Sequence, residues 1–155
     1  LAKLSEKRPC GPCTMCCSAV AVHEIRKPEG EVCKSLGSQG CSRYENRPKS
    51  CEAFFCLWKM GLIAEEQRPD LVGVLVFATT EDGVNYLLAM AKDWAAVKRA
   101  RGGLQQLNKV LGEAVLARVP GVFRYEGFGN DAQLQAIAAL QARKDKRHLP
   151  VLADA

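Results

Sequence analysis

The sequence predicts an α+β chain: a Cys-rich, loop-dominated metal module over residues 1–60, then a small antiparallel sheet with packed helices over residues 61–155. Three observations carry this expectation. All eight cysteines fall between Cys10 and Cys56. The first 60 residues are poor in other apolar side chains, whereas most of the aliphatic residues lie beyond them. That later part alternates Val- and Leu-rich runs with stretches of helical periodicity, punctuated by Gly and Pro. The first part therefore needs a cross-link to hold a shape, while the second can close around an ordinary core. No low-complexity linker divides them, so one compact unit is expected.

The first element is the run Cys10-x2-Cys13-x2-Cys16-Cys17, followed by Cys33, Cys41, Cys51 and Cys56. Two intervening residues let a chain turn and aim both sulfurs at one ion, which is what a chelating loop needs. Cys16 and Cys17, as direct neighbours, diverge in most backbone conformations. They suit two different metals, or one ligand beside one structural thiol. Eight thiols fill two four-coordinate sites and leave no position open for a substrate. Such sites are structural when the metal is zinc. Iron–sulfur clusters held by the same thiols would also carry electrons, and Cys10, Cys13 and Cys16 follow the bacterial ferredoxin run except for its last Cys-Pro. Zinc is the expected cofactor and an iron–sulfur cluster the alternative.

Two other uses of cysteine compete with chelation. Four disulfides would suit a small secreted chain, but four Cys within eight positions are crowded for independent long-range bridges. Cys10-Gly11-Pro12-Cys13 matches the dithiol of thioredoxin-like oxidoreductases, yet Glu6-Lys7-Arg8-Pro9 before it is no buried strand. Among the neighbours, Arg47 suits either hydrogen bonding to thiolate sulfurs or a surface pair with Glu45 or Glu52. Pro48 shapes a turn before Cys51. His23 is a spare ligand where eight thiols already suffice. Glu24 reads as solvated sooner than as a carboxylate acting at a metal, and His148 as solvated among basic residues. Two histidines offer no Ser-His-Asp or Cys-His arrangement, so the balance leans away from an enzyme.

Two longer segments carry a family resemblance. Cys10-Gly-Pro-Cys-Thr-Met-Cys-Cys17, with Gly40-Cys-Ser-Arg-Tyr-Glu-Asn-Arg-Pro-Lys-Ser-Cys51-Glu-Ala-Phe54, resembles the CxxCxxCC cysteine-cluster family, often called YkgJ-type. Its members are described as zinc- or iron-chelating proteins, and a related cluster occurs in flagellin lysine methylases. The resemblance spans residues 10–58, about a third of the chain, and implies metal chelation through cysteine. It supplies no substrate. No Gly-rich loop here follows a strand to cradle a nucleoside cofactor, so methylase activity does not transfer.

Past the cysteines, Leu71 to Thr79 reads as a strand, Glu81-Asp82-Gly83 as a turn, and Val84 to Ala91 as the returning strand of a hairpin. Asp93 is placed to cap a short helix through Ala100, which Gly102-Gly103 would end. Leu107, Val110, Leu111, Ala114 and Val115 recur at helical spacing up to Arg118. Pro120-Gly121 breaks that pattern, and Val122 to Tyr125 reads as a third strand. Asn130 or Asp131 then caps a last helix bearing Leu134, Ile137, Ala138 and Gln141 on one face. The basic run Arg143, Lys144, Lys146, Arg147 is read as closing that helix and complementing its dipole. Gly127-Phe128-Gly129-Asn130 reads as an ordinary loop sooner than as an anion cradle. Phe54, Phe55 and Trp58 are expected to seal the metal module against this half.

The formal charge of +5 counts every Cys as neutral. Two dications on eight thiolates would bring it to +1, so global charge gives no nucleic-acid signal. No apolar run is long enough to span a bilayer, and no signal peptide is visible at Leu1. The expectation is a cytoplasmic metal-binding protein with a mainly structural or interaction role, leaving room for a protein partner. The runner-up is an iron–sulfur redox or group-transfer protein.

Overall fold

The computed structural model describes residues 8–122 and 124–153. Phe123 and the side chains of Lys146, Arg147 and His148 lie outside the described residues. The fold is α+β. Its N-terminal third holds only short elements: α1 (Met15–Ala19), the two-residue strands β1 (Leu36–Gly37) and β2 (Gly40–Cys41), and α2 (Lys49–Glu52). Then come α3 (Pro69–Val72), β3 (Val74–Glu81), β4 (Val84–Ala91), α4 (Trp94–Leu111), β5 (Val115–Arg118), β6 (Tyr125–Phe128) and α5 (Asp131–Ala153).

The last four strands form one sheet in the order β3-β4-β5-β6. The expected hairpin is present, with Val74 opposite Ala91 and Glu81 opposite Val84. The sheet is mixed, not purely antiparallel: β4 and β5 run parallel, with Leu87 opposite Val115, because α4 crosses over between them. β5, most of β4 and the start of β3 are buried on both faces, and their side chains alternate between two cores. Val74, Val76, Leu87, Ala89, Val115 and Ala117 face one core, which α4 covers with Val97 and Leu104. Leu75, Leu88, Met90 and Leu116 face the other, where Ile137 and Leu140 of α5 meet Cys56 and Trp58. Burial on both faces explains why the strands read as continuous apolar runs.

That continuity also explains two misplaced elements. Val115–Arg118 is an inner strand of the sheet, buried through Ala117, rather than the end of a helix. A short apolar run buried all round carries no period that separates strand from helix. The helix before it ends earlier, at Gly112, in the left-handed conformation (φ 72°) that glycine adopts without strain. The third predicted strand lies later than expected, at Tyr125–Phe128, and takes in Gly127 and Phe128 of the supposed loop.

Gly102-Gly103 does not break α4, which runs unbroken from its Asp93 cap. Asp93 accepts from the Ala96 N–H at 2.8 Å, as its position predicts. Nor does Lys144 close α5: Arg143 and Lys144 sit mid-helix and face Asp82 and Glu81 of the β3–β4 turn, at 3.5 and 2.9 Å. At the start of α5, Asn130 Oδ1 accepts from the Gln133 N–H, and Gln133 Oε1 accepts from the Asn130 N–H. This reciprocal box occupies donors that an anion would need.

The N-terminal third is stitched to the sheet at three places. The Leu57 N–H donates to the Val76 carbonyl at 2.8 Å, extending the outer edge of β3. Phe54 packs edge-on against Phe77 with ring centroids 5.0 Å apart. Glu29 receives both terminal nitrogens of Arg118, at 2.7 and 2.9 Å. Beside that pair, Gly30 has φ 81° and lies so close to Pro120 that a Cβ there would meet the proline Cβ at 2.8 Å. Among the described residues, no helix is long and apolar enough to cross a membrane.

Candidate metal centre

Each cysteine is placed by local backbone bonding. Cys10 and Cys13 bracket a tight turn in which the Cys13 N–H donates to the Cys10 carbonyl at 3.0 Å, with Gly11 at φ 57°. The residue two before it fixes this turn in space. The Arg8 N–H donates to the Lys59 carbonyl, and its guanidinium donates to the Trp58 and Ile63 carbonyls while lying 5.1 Å over the Trp58 ring. The Cys10 turn is thereby drawn toward Cys56. Cys16 and Cys17 ride on α1. Cys33 is tied to that helix by its own N–H, which donates to the Cys17 carbonyl at 2.9 Å. Cys41 lies opposite Leu36 in the β1–β2 hairpin, and the Ser42 N–H donates to the Ser35 carbonyl, holding Cys33 and Cys41 on adjacent arms.

Cys51 sits on α2, and Glu24 holds that short helix. Its carboxylate accepts from the Ser50 N–H at 3.0 Å and from the Ser50 hydroxyl at 2.7 Å. Those bonds hold the Glu24 carboxyl below its ordinary range. Glu24 is exposed, as its solvated reading expects, and it also anchors the short helix that carries Cys51. His23 is exposed and does not line the cavity described next. Pro48 occupies the cap position of α2 in an extended conformation, as expected of the residue that turns the chain toward Cys51.

Seven of the eight cysteines, all but Cys56, line one cavity of about 290 Å3. A smaller cavity of about 50 Å3 adjoins it and is lined by Cys10, Cys13, Cys16, Cys51 and Cys56, with Trp58 and Leu75 on its inner wall. All eight are free thiols. As they stand, no three Cys, His, Asp or Glu side chains among the described residues converge closely enough to hold an ion. The sulfurs ring the space without closing on it.

The thiols of the ring are shifted by burial and by one another. Burial pushes the thiols of Cys13, Cys51 and Cys56 up, and neighbouring thiols and carboxylates add to the rise. Cys16 and Cys17 share a proton: Cys17, accepting from Cys16 and lying near the Lys27 ammonium, is lowered to about 7, while Cys16 is driven far up. Two sulfurs accept backbone hydrogen bonds, Cys33 from the Ser35 N–H and Cys56 from the Lys59 N–H, both at 3.4 Å. Backbone donors on sulfur stabilise the thiolate form. A dication would reverse the rise at every buried thiol it reached.

Four cationic side chains among the described residues line the two cavities: Lys27 and Arg43 the larger, Lys59 the smaller and Arg47 both. Arg47 lines both cavities, stacks 4.0 Å over Tyr44, and has its buried Nε without a hydrogen-bond partner. No ion pair to Glu45 or Glu52 appears among the described residues, and an orphaned donor against a thiol cavity fits a site meant to carry negative charge. Lys27 is 7% exposed and lines the larger cavity, its ammonium donating to the Val20 and Pro28 carbonyls.

Sequence reasoning missed Lys27, since nothing in Arg26-Lys27-Pro28 distinguishes a buried lysine from a solvated one. It missed Arg8 for the same reason. Asp70, whose carboxylate lies beside the Cys13 thiol and pairs with Arg68, arrives from a distant helix and left no signal in the cysteine pattern. In comparisons with protein-family models, curated proteins and solved structures, the chain finds no match.

Proposed function

We propose that the chain is a metal-binding protein whose N-terminal cysteines chelate zinc and whose role is structural or interaction-mediating rather than catalytic. One observation carries this reading. Cysteines drawn from five separate stretches of the first 56 residues surround two adjoining cavities, with an unpartnered guanidinium nitrogen beside them. Zinc suits an all-thiolate donor set, and four thiolates per ion leave no coordination position open. The likeness of residues 10–58 to the CxxCxxCC family points the same way. The second half supports the role by giving the module a rigid floor: Cys56 and Trp58 are part of the sheet's core.

The test is anaerobic purification of the full chain, followed by metal analysis, acid-labile sulfide and a visible spectrum on one sample. The expected result is a colourless protein with about two zinc per chain, as eight ligands at four per ion require. Iron with matching sulfide and a brown colour would replace this reading with an iron–sulfur redox or group-transfer protein. A chain that holds neither metal, even after anaerobic reconstitution, would overturn chelation altogether.

A further inference from the structure

Cys56 and Cys41 stand at opposite extremes of the thiol ring. Cys56 is 7% exposed, belongs to the core beneath the sheet, and lines only the smaller cavity. Cys17, Cys33 and Cys41 line only the larger one. Cys10, Cys13 and Cys16 face both spaces, but Arg8 pins the Cys10 turn to the Trp58–Lys59 segment beside Cys56. Cys17 lies nearest Cys16, followed by Cys10 and Cys13, and Cys10 is also close enough to bear on Cys56. Cys51 touches both cavities, yet its thiol neighbours are Cys17, Cys33 and Cys41. Cys56 can therefore find partners only among Cys10, Cys13, Cys16 and Cys51, and the ring divides at Cys16 and Cys17: the first reaches both spaces, the second only the larger, and the two thiols are hydrogen-bonded to each other across that boundary.

The two halves differ in support. The first rests on Trp58, Leu75 and the core behind them. The second is assembled from α1, the two arms of a two-residue hairpin and the one-turn helix α2, with exposed residues on every side: Val32 is 57% exposed and Tyr44 46%. Four thiolates on a dication leave two negative charges, and cations line both spaces to offset them: Lys27 and Arg43 the larger, Lys59 the smaller, and Arg47 both. Loops with few buried contacts open at low free-energy cost, so a ligand set mounted on them releases its ion sooner than one built into a core.

Resting on the zinc reading above, we infer that the chain carries two unlike four-thiolate sites: a retained one of Cys10, Cys13, Cys16 and Cys56, anchored in the core, and an exchangeable one of Cys17, Cys33, Cys41 and Cys51, borne on loops. The second is the place where metal enters, leaves or passes to an acceptor. Glu24 is a positioning residue for it, acting through Ser50 on the helix that carries Cys51.

The experiment follows zinc leaving the fully loaded chain into excess 4-(2-pyridylazo)resorcinol. Release in two phases of one equivalent each is expected. Cys41→Ser should remove the fast equivalent and leave the slow one. Glu24→Gln, a surface change that leaves every thiol in place, should speed the fast phase by about 10-fold, the usual scale for an outer-shell partner, and leave the slow phase unmoved. Circular dichroism on both variants confirms that they fold. A single phase carrying both ions, loss of both equivalents in Cys41→Ser, acceleration of both phases in Glu24→Gln, or one tightly held ion per chain would each overturn the division while leaving chelation standing. A chain that takes up no zinc would remove the reading on which the division rests.

Discussion

The sheet half and the cysteine module of this chain differ in what the core asks of them. From Val74 to Gln141, buried side chains occupy both faces of β5, of most of β4 and of the start of β3, and the inward faces of two helices. From Cys10 to Cys51, only Ala19, Val22 and Lys27 are buried, and one of those is a lysine. The first region holds its shape by removing apolar surface from water. The second has little such surface to remove and is held by turns and by side chains that bond backbone across loops. Module and sheet meet through Cys56, Leu57 and Trp58, so one short segment takes part in both kinds of stabilisation.

Metal withdrawal gives the largest effect expected from this contrast. In a small module without a core of its own, metal binding is a large part of the folding free energy, on the order of 10 kcal/mol for isolated zinc modules. Treating the zinc-loaded chain with a strong chelator should expose the amides of residues 10–51 to hydrogen exchange while those of β3, β4 and β5 stay protected. Loss of protection in the sheet at the same chelator concentration would show that the two regions unfold as one unit. No change in the first third would mean that its turns suffice without an ion.

A smaller effect is expected at the seam. Glu29 is partly buried, which pushes its carboxyl up, but the Arg118 guanidinium outweighs burial and leaves it below the ordinary carboxylate range. A carboxyl lowered in the folded state stabilises fully above its unfolded pKa, near 4.3, and that contribution fades as pH falls through the lowered value. Glu29→Gln should therefore cost about 1 kcal/mol at neutral pH, discounted for the pair's partial exposure. The gap from the parent chain should close as the solution is acidified below about pH 4. Urea unfolding at neutral and acid pH measures both. An equal loss at every pH would assign the effect to packing beside Gly30 rather than to the charge.

The two regions also differed in how much of them could be read from sequence. The hairpin was legible because a polar Glu-Asp-Gly turn separates two long runs, and the Asp93 and Asn130 caps because short polar side chains before an apolar period have one common use. The cysteines could be named as a constellation from spacing alone. Their grouping could not, since it depends on Arg8 reaching Trp58 and on Cys33 bonding back to Cys17, contacts that spacing does not encode. The strand at Val115–Arg118 was hidden by its own burial, and with it the parallel pairing that makes the sheet mixed. Lys27 and Glu24 were hidden differently: each has an ordinary surface composition around it, and tertiary contact alone gives it a role.

Gly102-Gly103 is where local propensity and packing disagree most plainly, and it yields the smallest and most specific test. Two glycines in a helix interior cost roughly 1 kcal/mol each relative to alanine, which is why the sequence predicts a break. The helix continues because Val97 on one side and Leu104 on the other are both buried against the same face of the sheet, so a break would expose one of them. Around Gly102 nothing lies within 4 Å of the position a Cβ would take. Gly102→Ala should therefore remove part of the penalty without a clash and raise stability by about 0.4–1 kcal/mol, read as a higher urea midpoint with an unchanged slope. Because α4 covers the face of the sheet away from the thiol cavities, zinc content and both release phases should stay as they are. A gain in stability accompanied by altered zinc release would show that the helix and the cysteine module communicate through the sheet, and the two regions would then be less separate than their cores suggest.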